Sequence, residues 1–210
     1  MKPYIKVKRV LDVIMALLLI AFFSPFLIIG YLLSRIFVSK NALFVQERGG
    51  LYDKKINVYK FKTMMDAFDK NGNLLPDEDR ICKVGTFLRR FSIDELPQLF
   101  NVLKGDMSLV GPRPLMMATV ESIPPQYRRR SSVLPGITGL AQVNGRNNLK
   151  YSVKYSYDIE YVDNISFMLD AKILVLTVFA VLFADASTKY TAVEELDDVG
   201  GLSNDPRAKR

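Results

Sequence analysis

The residues best suited to chemistry in this chain of 210 residues lie between Phe87 and Leu103, where two adjacent acids precede a proline. Pro97 fits the first turn of a helix that runs through Leu103, which places Asp94 and Glu95 at or just before the helix N-terminus. Unpaired N–H groups and the helix dipole favour negative charge at that position. We therefore expect Asp94 to be ionised and a phosphate group to bind beside it.

A purely structural role is the alternative for these two acids. Ser92 and Glu95 have the spacing of a capping box, in which each side chain accepts a backbone N–H and the helix simply begins there. This segment alone supports the two interpretations equally.

Arginines on both sides of the acidic pair favour a chemical role. Arg89 and Arg90 lie upstream, and Arg113 stands between two prolines that restrict its backbone. A guanidinium whose position is fixed in this way binds phosphate through two N–H groups at little entropic cost. Carboxylates among fixed arginines indicate phosphoryl transfer, in which cations and a metal offset charge as a bond breaks.

Glycine turns follow, in Pro135-Gly-Ile-Thr-Gly139 and in Asn144-Gly-Arg-Asn147, and the second of these contributes Arg146. Taken singly, each of these arginines and glycines is better explained by an ordinary ion pair or turn. Their clustering is what indicates a site.

The composition limits the chemistry further. The chain has no histidine and a single cysteine, Cys82, which excludes an imidazole base, a disulfide framework and a zinc site of the usual kind. Nucleophile, acid and base roles must therefore fall to carboxylates, lysine, tyrosine or hydroxyl groups. The net charge of +7 favours anionic partners, namely lipid headgroups and phosphorylated substrates. We expect no nucleic-acid partner, because no motif for one is found.

An uncharged stretch near the N-terminus, Val13 to Leu33, could just cross a hydrocarbon core of ~30 Å as a straight helix. Ser24 and Pro25 at its middle predict a break, since proline removes one backbone hydrogen bond and the serine hydroxyl can bond to the freed carbonyl. Basic residues flank both ends, which favours two cytoplasmic ends and a re-entrant, bent helix: Lys2, Lys6, Lys8, Arg9, Arg35 and Lys40. The alternative is a single-pass anchor with a tolerated proline.

The elements that would position the acids follow along the chain. Residues 41–65 predict two strands joined by a turn at Gly49-Gly50. Residues 66–79 predict a surface loop ending in adjacent acids, which are more often solvated than functional. Residues 151–162 fit a strand and a helical face equally well. Residues 173–184 predict either a core helix or a helix lying on the membrane, and we expect the polar tail beyond residue 185 to fray.

Taken together, these motifs resemble those of the monotopic phosphoglycosyl transferases, the bacterial sugar transferase family, in its minimal form. The resemblance extends from Lys8 to about Leu182. Any one of the motifs could occur by chance, but all of them in the family's order could hardly do so. It rests on these matches: Lys8-Arg9 with Asp12, Ser24-Pro25, Gln46-Glu-Arg-Gly-Gly50, Tyr59-Lys-Phe-Lys-Thr-Met64, Arg89 through Asp94-Glu95-Leu-Pro-Gln98, Asp106-Met-Ser-Leu-Val-Gly-Pro-Arg-Pro114 and Pro135-Gly-Ile-Thr-Gly139.

The resemblance implies transfer of a phosphosugar from a UDP-sugar to a polyprenol (undecaprenyl) phosphate, with release of UMP. Asp94 would attack the phosphorus attached to the sugar and form a covalent intermediate, a role that needs no histidine base. Glu95 would hold Mg²⁺. Arg113 is assigned to substrate phosphate, and three further residues, Lys60, Arg89 and Arg146, to supporting roles in substrate binding.

The implied architecture is α+β and helix-rich: a single domain on a re-entrant membrane helix, with interfacial amphipathic helices. We expect a membrane segment over residues 1–38, a catalytic domain over 39–184 on the cytoplasmic face of the bacterial inner membrane, and a polar tail over 185–210. Such an enzyme would begin assembly of O-antigen, capsule, exopolysaccharide or a glycoprotein glycan. A homodimer is compatible with the resemblance, and the identity of the sugar is not readable. The alternative function is a non-catalytic membrane-anchored module that binds anionic lipids.

Overall fold

The computed structural model describes residues 4–145, 149–182 and 197–199. Helices dominate, with two small sheets between them, so the α+β, helix-rich class is confirmed. The helices are α1 (Tyr4–Phe37), α2 (Asp77–Arg80), α3 (Lys83–Arg90), α4 (Gln98–Lys104), α5 (Met117–Glu121), α6 (Leu140–Val143), α7 (Tyr151–Asn164) and α8 (Phe167–Leu182), and the strands are β1 (Leu43–Gly49), β2 (Lys55–Phe61), β3 (Ser108–Val110) and β4 (Gly136–Thr138). Short 3₁₀ segments occupy Leu51–Asp53, Ile93–Glu95 and Pro125–Ser132.

Helix α1 is, among the described residues, the one helix long and apolar enough to cross a membrane. It continues through Pro25, whose missing N–H leaves the carbonyl of Ala21 without its usual donor. Ser24 Oγ donates to that carbonyl at 2.8 Å, so the predicted replacement bond is confirmed. The bend itself stays a prediction.

Both flanks of α1 contact the rest of the chain. Near the N-terminus, the Arg9 guanidinium donates to the carbonyls of Val102 at 2.6 Å and Leu103 at 3.0 Å. It thereby satisfies carbonyls at the C-terminus of α4, where a cation is favourable. Near the C-terminus, Ser34 Oγ lies 3.0 Å from the carbonyl oxygen of Ala42 and 2.8 Å from that of Lys62.

A buried polar cluster also holds the start of α1. Lys8 Nζ lies 2.8 Å from an Asp170 oxygen in α8, and Asp12 accepts a hydrogen bond of 2.7 Å from Ser108 Oγ in β3. Tyr161 donates to Asp170 at 2.7 Å. Buried charges are tolerated when they are paired and hydrogen-bonded, so this cluster connects segments that are distant in sequence.

The middle of α1 has the opposite character. Between the two flanks, apolar side chains are exposed in the isolated chain: Leu17, Leu18, Phe22, Phe26, Ile28 and Ile29. Since a soluble protein rarely leaves so large an apolar surface in water, this surface fits the hydrocarbon of a bilayer.

The predicted hairpin is confirmed. Strands β1 and β2 pair antiparallel over their whole length, from Leu43 opposite Phe61 to Gly49 opposite Lys55. Side chains directly opposite in an antiparallel pair point to the same face. Gln46 lies opposite Val58, so one face carries Gln46 and Arg48 together with Val58 and, two residues further along β2, Lys60.

Strands β3 and β4 form a short parallel pair in which glycine is required by close backbone contact. A Cβ atom on Gly136 would lie 2.1 Å from Gly111 N, and one on Gly139 would lie 2.2 Å from Gly111 O. The Pro135–Gly139 motif therefore packs directly against the segment that leads into Arg113, and its glycines allow that contact.

Several sequence expectations are resolved by this fold. Residues 151–162 are helical, as α7, which buries Tyr155, Asp158 and Tyr161 on one face. The loop over 66–79 is correct except at its end, where the acids begin the single turn of α2. The apolar run at 173–184 belongs to α8, which buries Asp170 and Ile173 but exposes Phe167, Met168, Val175, Val178, Phe179 and Leu182. The apolar run is therefore helical and largely exposed, and its position on a membrane surface stays a prediction.

Candidate active site

The two acids lie in a short 3₁₀ turn, Ile93–Glu95, that joins α3 to α4. Helix α4 begins at Gln98 with Pro97 at its N-cap, one residue later than expected, and the acids precede it as predicted. Ser92 has a left-handed backbone, with φ of 53°, which is unfavourable for a residue other than glycine. An unfavourable backbone directly before two acids is typical of a functional turn.

The capping-box interpretation is wrong. The Ser92 side chain caps no backbone N–H of the 3₁₀ turn, and the Glu95 carboxylate turns instead to a lysine. Lys60 Nζ, from β2, lies 2.6 Å from Glu95 Oε1. Arg113 Nη2 lies 3.5 Å from the same oxygen.

These two cations determine the ionisation of Glu95. Burial alone would raise its pKa, but the charges of Lys60 and then Arg113 outweigh burial and hold the pKa at about 2. Glu95 is therefore a carboxylate at any pH at which the protein would function.

The pKa of the adjacent acid, Asp94, is shifted in the opposite direction. Burial, followed by the charge of Glu95, raises the pKa of Asp94 to about 6, against the opposing charges of Lys60, Arg89 and Arg113. The expectation that the helix N-terminus would favour ionisation is therefore wrong in direction, because desolvation and a like charge prevail. Asp94 remains mostly ionised at neutral pH, as a carboxylate with little stabilising solvation.

Hydrogen bonds position Arg89 and Arg113. Arg89 Nε donates to Thr63 Oγ1 at 2.7 Å, and its charge acts on Asp94. The backbone of Arg113 is held by Arg130, which is 4% exposed and donates to the Arg113 carbonyl at 2.7 Å. Arg130 in turn donates to Asp158 of α7 at 2.8 Å.

The structure thus brings together Asp94, Glu95, Lys60 and Arg113, with Arg89 at the side. Arg146 lies outside the described residues. The cleft also includes two side chains that we did not predict from the sequence, Arg48 and Gln98. A signal for Arg48 existed, because alternation along a hairpin places it on the same face as Lys60.

The two carboxylates of the turn are the groups to consider for Mg²⁺. Magnesium is usually bound by one or two protein carboxylates together with substrate phosphates and water. Among the residues the structure describes, no group of three or more acidic, histidine or cysteine ligands occurs, but the adjacent carboxylates meet the smaller requirement. Both cations contact Glu95 through Oε1, so neither of these two contacts uses its other carboxylate oxygen.

The chain belongs to the bacterial sugar transferase family, whose model matches residues 3–184. It is 45% identical over 199 residues to the uncharacterized sugar transferase EpsL of Bacillus subtilis, covering 94% of this chain and 98% of that protein. It is 42% identical over 193 residues to a UDP-glucose:undecaprenyl-phosphate glucose-1-phosphate transferase of Caulobacter vibrioides, covering 85% of this chain and 70% of the relative.

Some relatives are considerably longer. A UDP-glucose:undecaprenyl-phosphate glucose-1-phosphate transferase of Escherichia coli is 39% identical over 186 residues, and the match covers 82% of this chain but 39% of that protein. The shared region includes most of the present chain, so the comparison supports the enzyme class and leaves the sugar undefined.

Proposed function

We propose that the protein is a phosphoglycosyl transferase that moves a phosphosugar from a UDP-sugar to a polyprenol phosphate and releases UMP. The observation that carries this proposal is the arrangement of Asp94 and Glu95. One carboxylate is poorly solvated and reactive, and its neighbour is fixed by Lys60 and Arg113. Relatives named as undecaprenyl-phosphate sugar phosphotransferases support the same reaction.

The chemistry would proceed in two displacements. An Asp94 carboxylate oxygen attacks the phosphorus attached to the sugar, and the bond from that phosphorus to the bridging oxygen breaks. UMP leaves with the bridging oxygen and its electron pair. An oxygen of the lipid phosphate then attacks the same phosphorus and displaces Asp94, which regenerates the carboxylate and yields a lipid diphosphate sugar.

The surrounding residues would bind and stabilise the charged groups of this reaction. Arg113 binds substrate phosphate, with its backbone held by Arg130. Lys60 holds Glu95 in place, and Arg89, fixed by Thr63, favours the ionised form of Asp94. These groups are ordered before substrate arrives, so little reorganisation is needed as charge moves from Asp94 to the leaving UMP.

We propose that Glu95 also holds Mg²⁺ together with the diphosphate of the donor. When bound, the ion would withdraw charge from the phosphate oxygens. The low pKa of Glu95 fits this role, since a metal ligand must be deprotonated.

We further propose that the protein is monotopic and inserts the middle of α1 into the cytoplasmic leaflet of the inner membrane. Both flanks of α1 contact the same globular body, through Arg9 and through Ser34. A helix that crossed the bilayer would place these flanks on opposite sides. An anchor of this kind would keep the cleft at the depth where a lipid phosphate resides.

The direct test replaces the nucleophile. We expect Asp94→Asn to abolish UMP release from UDP-sugar and polyprenol phosphate, because an amide cannot form the phosphorus–oxygen bond. Quenched wild-type enzyme given donor alone should show, by mass spectrometry, an added phosphosugar on the peptide containing residue 94. Asp77→Asn is the matched control, since Asp77 is exposed in α2 and pairs with Arg80.

Folding of the variant is checked separately. The pKa of Asp94 is raised from 3.8 to about 6, so the native state binds its proton more strongly and loses stability as pH rises through that window. Asp94→Asn should accordingly be at least as thermostable as the wild type at pH 7. Full turnover in this variant would reject Asp94 as the nucleophile.

Two results with the wild-type protein would contradict the proposed reaction. Lipid binding without turnover of any UDP-sugar would favour the lipid-binding module. Release of UDP in place of UMP would indicate transfer of the sugar alone.

A further inference from the structure

Arg48 is a cation without an acidic partner in the cleft. Within the described part of the chain, no carboxylate lies within ion-pair distance of it, whereas Lys60 and Arg113 both reach Glu95. The Arg48 side chain is only partly exposed and lines the cleft together with those residues. An arginine left without a counter-ion in a partly buried position is unusual.

Neutral acceptors hold the Arg48 guanidinium in a fixed orientation. Its Nε donates to Gln46 Oε1 at 3.0 Å, and Nη2 contacts the same oxygen. Nη1 donates to the Pro114 carbonyl at 3.4 Å, directly after Arg113. These contacts use three of the five N–H groups of an arginine, which leaves two for a ligand.

The balance of charge at this position favours an anion. Among the side chains that line the cleft, Arg48, Lys60 and Arg113 are cationic and Glu95 is anionic, and even with the adjacent Asp94 carboxylate counted the positive charges outnumber the negative ones. Burial and then the charge of Arg113 lower the pKa of Arg48 to about 10, against the opposing charge of Glu95, so the group stays protonated at neutral pH at an energetic cost. A folded chain that retains such repulsion at a site has usually done so for a ligand.

We propose that Arg48 binds a phosphate group of a substrate beside Arg113, and that Gln46 positions Arg48 for this contact. The inference rests on the proposed function and adds a second arginine to its anion site. The phosphate belongs either to the nucleoside diphosphate donor or to the acceptor lipid, since both carry the same chemistry.

The test uses the full chain in lipid nanodiscs with four variants: Arg48→Gln, Arg48→Lys, Gln46→Ala and Glu47→Gln. The first measurement is the Kd for UDP and for UMP by calorimetry, which needs no turnover. The second is the KM for UDP-sugar and for polyprenol phosphate, from the initial rate of UMP release.

We expect Arg48→Gln to raise the affected Kd or KM at least tenfold. Arg48→Lys should recover little, because an ammonium group cannot reproduce the planar contacts to Gln46 and Pro114 while also binding phosphate. Gln46→Ala should give a smaller increase, of about threefold to fivefold, by loosening the guanidinium. Glu47→Gln is the control, since Glu47 forms an exposed ion pair with Lys55, and it should differ from wild type by less than twofold.

Stability separates this role from a structural one. Without ligand, Arg48→Gln should unfold at the wild-type temperature or above it, because repulsion with Arg113 is removed. The rise in Tm on adding UDP should shrink if the donor is the ligand.

Each outcome has a defined meaning. Weaker UDP binding assigns the phosphate to the donor, and an increase confined to the KM of polyprenol phosphate assigns it to the lipid, so either supports the role. Unchanged values for both substrates, or a large loss of Tm in Arg48→Gln without ligand, would overturn it. If wild-type enzyme binds UDP but releases no UMP, the proposed reaction fails while the anion site can still be judged from the binding data.

Discussion

Asp94 and Glu95 are neighbours in the chain, yet their surroundings shift their pKa values in opposite directions. Glu95 faces Lys60 and Arg113, and its pKa is about 2. Burial and the charge of Glu95 disfavour the ionised form of Asp94, and its pKa is about 6. Two carboxyl groups separated in this way can take different roles in one reaction. In the proposed reaction, Glu95 is the permanent anion and Asp94 the nucleophile.

This difference predicts the pH dependence of the first chemical step. Below pH 6, Asp94 takes up a proton, so formation of the covalent adduct should slow by about tenfold per pH unit toward pH 5 and below. Above pH 7 the rate should be nearly constant. The measurement is single-turnover release of UMP from UDP-sugar between pH 4.5 and 8 without polyprenol phosphate, so that ionisation of the acceptor plays no part.

A control follows from Lys60. Its positive charge lowers the pKa of Asp94, so Lys60→Met should move the acidic limb of the profile to higher pH, whereas Lys60→Arg should move it less. A flat profile between pH 5 and 8 in the wild type would contradict the ionisation of Asp94 as the controlling event.

At the scale of elements, the site depends on how closely α3 packs against the end of the hairpin. A Cβ atom on Gly85 would lie 1.8 Å from the carbonyl oxygen of Thr63. This contact places the side chain of Thr63 where Arg89 can donate to it. Helix α3 is thus positioned by backbone contact, and Arg89 is positioned with it.

We therefore expect Gly85→Ala to push α3 away, lose the hydrogen bond between Arg89 and Thr63 and reduce kcat at least tenfold. The added methyl group should also destabilise the fold by about 1–3 kcal/mol. Thr86→Ala on the same helix is the control, because Thr86 is exposed and should change stability by less than about 0.5 kcal/mol. Measurement of kcat and of the free energy of unfolding by chemical denaturation in both variants checks this prediction. A wild-type kcat in Gly85→Ala would contradict the positioning of Arg89 by α3.

Local patterns predicted some of these elements and left others open. The hairpin was predictable because Ile56 and Val58 alternate toward a buried face and Gly49-Gly50 marks a turn. The segment that forms α7 was ambiguous, because the spacing of its tyrosines fits both the two-residue period of a strand and the period of a helix. Burial of Tyr155, Asp158 and Tyr161, three residues apart, shows that it is a helix. No local pattern could have paired Lys60 with Glu95, because this contact joins positions 35 residues apart.

Asp94 and Glu95 could be proposed as the reactive pair from the sequence, but the raised pKa of Asp94 could not be predicted from it. The sequence supplies the helix start that favours a negative charge, whereas burial depends on how hairpin, α3 and α4 come together. The same reason explains why Arg48 was not identified: its lack of a carboxylate partner is visible only once the cleft is assembled.

At the scale of the whole molecule, the position of α1 predicts topology. With Cys82→Ser as background, single cysteines at Lys6→Cys and Lys40→Cys should both react with an impermeant maleimide from the cytoplasmic side alone. Cys82 accepts the N–H of Gly85 at the start of α3, and serine can make the same cap. Phe22→Cys, in the exposed apolar middle, should be protected by lipid and become reactive in detergent.

Inverted and right-side-out vesicles provide the comparison. Labelling of the two flanks from opposite faces would indicate a spanning helix and contradict a monotopic protein. Labelling of both flanks from outside would place the cleft away from cytoplasmic UDP-sugar and contradict the proposed reaction as well.

The contact between Arg9 and the end of α4 has a consequence for selection of the acceptor. Helix α4 has seven residues, and a helix of that length spans only ~10 Å. Its other end adjoins the turn that carries Asp94, so in the proposed membrane placement this one short helix would set the distance between Asp94 and the membrane segment. If the proposed reaction holds, an isoprenoid needs only enough length to stay in the leaflet with its phosphate near Asp94, so we expect shorter and longer prenyl phosphates to serve nearly alike as acceptors.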